Sequence, residues 1–453
     1  MAARVVQGGA DAMPPLALPQ PWVRFLLLPA HERLRGRRTL ADLAALRRGE
    51  RDDPQTAHAL REQKLAALLQ HCVERVPWYR DRCGVTEPVL ARFPVLERAT
   101  VRDHGDALKS DGFDGELLRS STGGSSGAPL VFWTDKVKEA RHNAQKLRFR
   151  RWFGIRPGDR QVDFWGSPIE LGKQSRLRVA KDRYLLNQVV LSAHDLTPER
   201  LQEYARFLAR FRPRLLYGYP TVIYRLAQFV DAHPELLGRY RPVAVVCTSE
   251  MLYPQMREAI AAVFECPVAN EYGSRDGGLI AHECSEGRLH VAMEHVWLEV
   301  DAPDENGVGD LLVTNLDGYG MPFVRYRVGD RGRLGEPGCA CGFHLPVLDH
   351  LEGRRNDFLV GVDGRQVHGS AANYVMRELE RLHQYRLIQR RDLSVDVDVV
   401  MEGELTDDER QTVHRGLRRA LGGDVPVRLR RVGHIPPSAS GKYRWVESEA
   451  LTQ

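Results

Sequence analysis

A two-domain α/β architecture is what this 453-residue sequence predicts, and three observations carry it. Apolar, β-branched-rich runs alternate with helical patterns between about 119 and 350. That is how a sheet covered by helices reads in sequence. The last ~100 residues change to period-two strands around one amphipathic helix, which is how a small separate α+β domain reads. The chain is also long enough for two large units at about 150 residues per domain. It needs no disulfide or metal merely to bury a core.

The elements follow in order. Residues 1 to about 20 are rich in Gly, Ala and Pro and are expected to be poorly ordered. Leu65, Leu68, Leu69, Cys72, Val73 and Val76 fall on one helical stripe, which Pro77 ends. Short helices and turns are expected from there to about Leu118. Val243–Cys247 reads as a buried strand. Pro254–Phe264 reads as a helix, and Pro267–Tyr272 as a strand running into a Gly-rich turn. Gly309–Asn315 and Val324–Val328 read as strands on either side of Gly318–Gly320. Leu393–Met401 alternates as a half-buried strand, Asp407–Leu421 is an amphipathic helix, and Val425–Val432 alternates again. The expected domains are 1–352, large and α/β, and 353–453, small, mobile and α+β, with the boundary at Gly353–Asp357.

Composition excludes several classes. Lys plus Arg is 65 and Asp plus Glu is 60, a net charge of +5. Over this length that is too little to argue for a nucleic-acid or membrane partner. No apolar run approaches the ~20 residues of a membrane-spanning helix. Phe25–Leu28 is too short for a signal-peptide core. Seven cysteines, an odd number, read as cytoplasmic thiols or metal ligands rather than a secreted disulfide framework.

The sharpest chemical feature is Ser120–Gly127, eight consecutive Ser, Thr or Gly residues. Glycines let backbone N–H groups turn inward as an anion nest, and hydroxyls add donors. Such a loop suits a polyphosphate. It lacks the Gly-Lys-Ser/Thr of a Walker loop. A flexible Ser/Gly linker is the alternative, disfavoured by the apolar flanks Leu118 and Leu130–Trp133. A second constellation joins Cys284 and His290 to Cys339 and Cys341. Three Cys and one His would make a closed, structural zinc site; free thiols and a hydrogen-bonded His are the alternative. Cys72, Cys83, Cys247 and Cys266 lie in helix or strand patterns and read as core. Trp165, Gly166, Tyr217, Tyr219 and Pro220 lie in aromatic segments that either line a substrate pocket or pack the core. The basic stretch Lys173–Arg183 reads as a solvated face, with a weaker reading as a contact to a phosphate of CoA.

The Ser/Thr/Gly run resembles the phosphate-binding motif of the acyl-adenylate-forming superfamily. Four further segments match that superfamily in order. Asn270–Asp276 resembles its tyrosine-glycine motif, Tyr326–Asp330 its ribose-binding motif, Gly353–Asp357 its hinge, and Pro436–Arg444 its C-terminal lysine motif. Val76–Tyr79, Phe93–Leu96, Tyr217–Pro220 and the cysteines at 339–341 resemble the phenylacetate–CoA ligase branch and its capsular-polysaccharide-associated relatives. The Cys…His…Cys-x-Cys pattern is similar to that branch too, which favours zinc.

The resemblance implies ATP and Mg²⁺ as cofactors, a small carboxylic acid as substrate and CoA as co-substrate. It implies ATP/AMP contacts at Ser121, Thr122, Gly123, Gly124, Ser125, Ser126, Gly127, Ser249, Glu250, Tyr272, Gly273, Ser274, Asp330 and Arg354. Lys442 would supply the cation that bridges carboxylate and α-phosphate oxygens, with Arg354 beside it in catalysis. Asp330 would accept the ribose hydroxyls, and Asp276 would hold Mg²⁺. Two departures stand out. Asp276 replaces the usual Glu and is one methylene shorter, so a water-mediated metal contact is expected here. Asn356 replaces the usual Asp or Lys of the hinge.

Three functions are compatible with these features. The first is an acid–CoA ligase working through acyl-AMP and pyrophosphate. The second passes the acyl group to an amine or hydroxyl, a reading prompted by Gln366–Asn373, which departs from the usual phenylacetate-ligase continuation. The third is a non-enzymatic zinc-ribbon binding protein, disfavoured by balanced charge and the absence of a basic stripe. A homodimer is one assembly the sequence leaves open.

Overall fold

The computed structural model describes residues 18–50, 53–83, 88–121, 130–165, 182–183, 186–193, 196–336, 338–354, 358–364, 366–368, 370–376, 378–379, 381–436 and 445–450. The expectations for residues 1–17, Thr122–Gly127, Gly166, most of Lys173–Arg183, Asn356 and Lys442 lie outside the described residues. The chain divides into two compact units. One is Met1–Val328 with Gly332–His350; the other is Gly329–Arg331 with Leu351–Gln453.

Helices α1 (Leu28–Leu34) and α2 (Thr39–Gly49) open the large unit, and α1 continues a π-helical turn over Val23–Leu27. Helix α3 (Pro54–Arg75) follows. Asp53 caps it by accepting from the Gln55 and Thr56 N–H groups at 2.9 Å each, and Pro54 sits where a missing N–H costs nothing. Its stripe of Leu65, Leu68, Leu69, Cys72 and Val73 is buried as the sequence predicts. Those residues pack with Tyr79, Phe93, Leu96, Phe132, Phe323 and Tyr326 in one core. Tyr79 stitches this core by donating to the Pro322 carbonyl at 3.3 Å and accepting from Val324 N at 3.1 Å.

Strands β1 (Leu117–Ser121) and β2 (Val131–Asp135) pair antiparallel, so the Ser/Thr/Gly run connects two paired strands. Asp135 then caps the long helix α4 (Lys136–Trp152) by accepting from Lys138 N at 2.8 Å. Next come β3 (Gln161–Trp165), β4 (Gln188–Ser192) and β5 (Leu215–Gly218), helix α5 (Pro220–Ala232), β6 (Ala244–Thr248) and β7 (Val268–Ser274). The antiparallel part adds β8 (Gly278–Glu283), β9 (Leu289–Val291), β10 (Val296–Asp301), β11 (Gly309–Asn315), β12 (Tyr326–Leu334) and β13 (Val347–Arg354). Among the described residues these eleven strands form one sheet, ordered β10-β11-β12-β13-β9-β8-β7-β6-β5-β3-β4. The block β7-β6-β5-β3-β4 is parallel. Every residue of β5 and β6 is buried, which is why they read as unbroken apolar runs.

In the small unit, β14 (Phe358–Val360) pairs with β15 (Gln366–His368). Strands β16 (Leu382–Gln389), β17 (Val395–Met401), β18 (Val427–Arg431) and β19 (Val446–Ser448) form a sheet ordered β18-β17-β16-β19. Helix α6 (Asp407–Ala420) starts with a full capping box between Thr406 and Glu409. It buries Val413 and Leu417 in a core with Val395, Val397 and Val399. Strand β17 starts later than the sequence predicts. Leu393 has φ of 65° and closes a turn in which Asp392 accepts from Ser394 N at 3.0 Å and Ser394 Oγ at 2.6 Å. Of the four cysteines read as core, Cys72 and Cys247 are buried, whereas Cys83 and Cys266 are half-buried. No described helix is long and apolar enough to cross a membrane.

Candidate active site and metal centre

Open α/β sheets bind ligands outside the carboxyl ends of their parallel strands. Here the carboxyl ends of β3, β5, β6 and β7 carry Trp165, Tyr219, Ser249–Glu250 and Tyr272–Asp276. Four of the sequence-predicted segments therefore lie along one edge of the parallel block.

The turn after β7 is built around glycine. Any side chain at Gly273 would put its Cβ 2.5 Å from the Gly278 carbonyl oxygen of the paired strand. Ser274 Oγ accepts from Gly277 N at 2.8 Å and closes the turn. Arg275 Nη1 donates to the Ser121 carbonyl at 2.9 Å. The last β1 residue, at the head of the Ser/Thr/Gly run, is thus tied directly to the tyrosine-glycine turn. Asp276 is buried, at 6% exposure. One oxygen accepts from Tyr326 Oη at 2.6 Å and lies 3.8 Å from Arg98; the other accepts from Gly277 N at 3.2 Å. A carboxylate has about four acceptor positions, so lone pairs remain for Mg²⁺ or one of its waters. Asp276 therefore fits a hard cation, with one carboxylate oxygen already engaged by Tyr326. Asp330 stands four residues beyond Tyr326 on β12 and is half-buried. Arg354 ends β13, and its side chain lies outside the described residues.

Ser249 is held at φ 70°, a left-handed conformation that non-glycine residues rarely adopt. Its neighbour Glu250 accepts from Thr221 N at 3.3 Å and Thr221 Oγ1 at 2.6 Å. That places a carboxylate against the first turn of α5, where the helix dipole favours it.

The aromatic residues also come together. Trp165 stacks on Tyr217, centroids 6.1 Å apart, and meets Tyr219 at 4.8 Å. Pro220 starts α5 directly behind Tyr219. Gly218 between the two tyrosines has no room for a Cβ against the Phe164 carbonyl. Tyr217 and Tyr219 are buried, at 5% and 2% exposure, and Trp165 is the member that remains half-exposed. Tyr217 Oη donates to Glu271 at 2.7 Å and accepts from Lys146 Nζ at 3.0 Å. Burial holds the Tyr217 hydroxyl well above its ordinary pKa. It therefore stays a neutral donor in this network.

The cysteine constellation is assembled in space. Cys284 follows β8, His290 lies on β9, and Cys339 and Cys341 lie in the turn before β13. Their ligating atoms all fall within 4.8 Å of one another. Cys284 Sγ and Cys339 Sγ are 3.7 Å apart, and Cys341 Sγ is 3.3 Å from His290 Nε2. A tetrahedral zinc at about 2.3 Å from each sulfur would space two sulfurs by about 3.8 Å, so the residues fit that ion. His290 Nδ1 faces the Leu345 carbonyl at 3.2 Å. With its proton there, Nε2 presents a lone pair to the centre of the cluster. Burial pushes the Cys341 thiol up to about 12, and its neighbouring thiols add to the rise. Without a cation Cys341 therefore stays a thiol, whereas at Cys339 burial is outweighed by hydrogen bonds from Cys341 and Cys284, which hold that thiol below its ordinary value.

Several residues here carry no sequence signal. Arg98 reaches the tyrosine-glycine turn from a distant segment and nothing local marks it, whereas Arg275 and Tyr326 sit in recognised motifs that give no sign of their contacts to Ser121 and Asp276. Another is Asp317, only 2% exposed. It takes Lys64 Nζ of α3 at 2.7 Å, Arg141 of α4 at 2.5 Å and His295 Nδ1 at 2.6 Å.

Comparison with known proteins agrees with this geometry. Residues 359–449 match the CapK C-terminal domain family. The chain is 27% identical over 376 residues to Protein CapK of Staphylococcus aureus, covering 80% of each chain. It is 25% identical over 439 residues to a phenylacetate-coenzyme A ligase of Thermus thermophilus, covering 86% of this chain and 95% of the relative. Its fold is that of 2-hydroxyisobutyryl-CoA ligase, solved in the postadenylation state with an acyl-AMP, at a TM-score of 0.69 and 17% identity over 88% of this chain and 91% of that one.

Proposed function

We propose that this chain, a relative of CapK and the phenylacetate–CoA ligases built on the adenylate-forming fold, is an ATP-dependent carboxylate–CoA ligase. The observation that carries the reading is the Arg275–Ser121 bond. It joins the head of the Ser/Thr/Gly run to the tyrosine-glycine turn at the carboxyl edge of the parallel strands.

In the first half-reaction a carboxylate oxygen attacks the α-phosphorus of ATP, the bond to pyrophosphate breaks, and acyl-AMP forms. In the second, the CoA thiolate attacks the acyl carbon and AMP leaves. Backbone N–H groups and hydroxyls of Ser121–Gly127 would hold the phosphates, Tyr272–Ser274 with Ser249 and Glu250 the nucleoside, and Asp330 and Arg354 the ribose. Mg²⁺ at Asp276 would neutralise charge on the phosphate oxygens. Trp165, with Gly166, Tyr217, Tyr219 and Pro220 behind it, would bound the acyl group.

An amine or hydroxyl acceptor in place of CoA is the second reading. The match of 359–449 to the CapK C-terminal domain family favours keeping it open. Product masses separate the two. Enzyme, ATP and an accepted acid incubated with CoA should give acyl-CoA. Amide or ester products without thioester would move the chain to the second reading.

Cys284, His290, Cys339 and Cys341 would hold one zinc. Four protein ligands leave no open position, so its role would be structural. Purified untagged protein should contain about one zinc per chain by elemental analysis. Because the ligands must be deprotonated, zinc should be lost as pH falls. Cys341→Ser should lower thermal stability more than it lowers the adenylation rate of the folded fraction. Zinc far below stoichiometry, or an equally stable variant, would leave four ordinary side chains.

A further inference from the structure

A cavity of about 700 Å³ lies in the large unit, away from the carboxyl edge. It is walled by α1, the start of α2, one face of α4, the Pro157–Gly158 turn and the start of β4. Those last two segments stand at the amino ends of β3 and β4, the end of the sheet opposite Trp165. Its volume falls within the range of about 300–1,000 Å³ usual for small-molecule pockets.

The walls hold polar atoms that have no hydrogen-bond partner among the described residues. Among the described residues, Glu32 Oε2, Thr39 Oγ1, Glu139 Oε2 and Arg150 Nε are buried without a hydrogen-bond partner. As whole residues Thr39 is 4% exposed, Arg150 7% and Glu32 8%, the Glu32 side chain itself being 11% exposed. All four residues line the cavity. A buried polar atom left unpaired has lost its water without replacement, which is unfavourable. Four around one cavity therefore mark a place built for an occupant that supplies both donors and acceptors.

The chemistry of the four atoms selects among occupants. Two carboxylate oxygens only accept, a guanidinium N–H only donates, and a hydroxyl does both. An anion would satisfy Arg150 but meet Glu32 and Glu139. A polyamine would satisfy the carboxylates but meet Arg150, Lys146 and Arg35, which also line the cavity. A neutral molecule with several hydroxyls satisfies all of them at once. The carboxamides of Asn143 and Gln188 offer further donors and acceptors, and Val23, Leu28 and Leu147 give an apolar wall for the C–H face of a ring.

We propose that this cavity is a binding site for a neutral saccharide of one to three rings, separate from the ATP and acyl sites. It couples to the acyl region through Lys146, which lines the cavity and donates to Tyr217 Oη at 3.0 Å.

The test uses the full chain, saturation-transfer NMR and a glycan array. Maltose, maltotriose and N,N′-diacetylchitobiose serve as ring probes, sorbitol as an open-chain polyol, and spermidine and citrate as charged controls. Saturable binding of at least one neutral ring saccharide is expected. The double variant Thr39→Val, Glu32→Gln should bind it at least ten-fold more weakly. Thr39→Val removes an unpaired hydroxyl at constant shape, so the variant should fold as well as the parent by circular dichroism. Its carboxylate-dependent pyrophosphate exchange should match the parent's. Binding is read without turnover, so absent exchange in both proteins would count against the ligase reading and not against this site. Equal binding of sorbitol would support the site and identify open-chain hydroxyls as sufficient. No saturable binding on the array or by NMR, binding undiminished in the double variant, or tighter binding of spermidine or citrate would each overturn the proposal.

Discussion

Lys442→Ala should slow carboxylate adenylation by ~10²–10³, the usual cost of removing one group that stabilises transition-state charge. Negative charge grows on the α-phosphate and pyrophosphate oxygens as the carboxylate attacks. An ammonium brought near those oxygens would offset it, and alanine would leave them facing one another. Transfer of the acyl group from chemically supplied acyl-AMP to CoA involves no departing pyrophosphate, so that half-reaction should stay close to the parent rate. The split between half-reactions is the diagnostic feature, since a folding defect would depress both. Single-turnover assays of each half-reaction measure it. Parent-like adenylation in the variant would remove Lys442 from the chemistry.

Asp317→Ala should destabilise the large unit by about 3 kcal/mol, the low end of the 3–5 kcal/mol typical for breaking a buried ion pair. The Asp317 carboxylate receives Lys64, Arg141 and His295 together. The low end applies because the Lys64 and Arg141 side chains are 24% and 38% exposed and can turn to water, whereas His295 is fully buried. Burial alone would raise the Asp317 pKa. The hydrogen bond from His295 and the two cations outweigh it and hold the carboxyl well below the usual range. A depressed folded-state pKa contributes stability above the unfolded value of about 3.9 and loses it as pH falls further. The difference between Asp317→Ala and parent should therefore be full at neutral pH and shrink under acid. Urea denaturation at pH 7 and at pH 3 checks both statements. A variant as stable as the parent at pH 7 would show that the three contacts contribute nothing net.

What the sequence disclosed depended on whether a signal was local. Helix α3 was legible because six apolar residues share one face and Pro77 stops it. Strand β6 could be read from a short apolar run because parallel strands are buried on both faces; β5, only four residues long, was not read as a strand. The four cysteine and histidine ligands were legible as residue types, and the fold supplies what spacing could not: a common centre for two segments about fifty residues apart. The start of β17 was missed because the Asp392–Ser394 hydrogen bonds override the alternation that runs through Leu393. Arg98 and Asp317 were invisible as site or framework residues because their partners come from distant segments, and a lone Arg or Asp carries no pattern. The cavity beneath α1 left no trace for the same reason. It is made by one face each of helices that look ordinary in sequence.

The central claim is that this chain activates a carboxylic acid as its adenylate. Isotope exchange between pyrophosphate and ATP, measured across a panel of small carboxylic acids with Mg²⁺ present, tests it most directly because it needs no acceptor. The account predicts exchange that depends on at least one acid, saturates with it, and falls by ~10²–10³ in Lys442→Ala. Exchange absent with every acid, or present at the same rate without any acid, would contradict it.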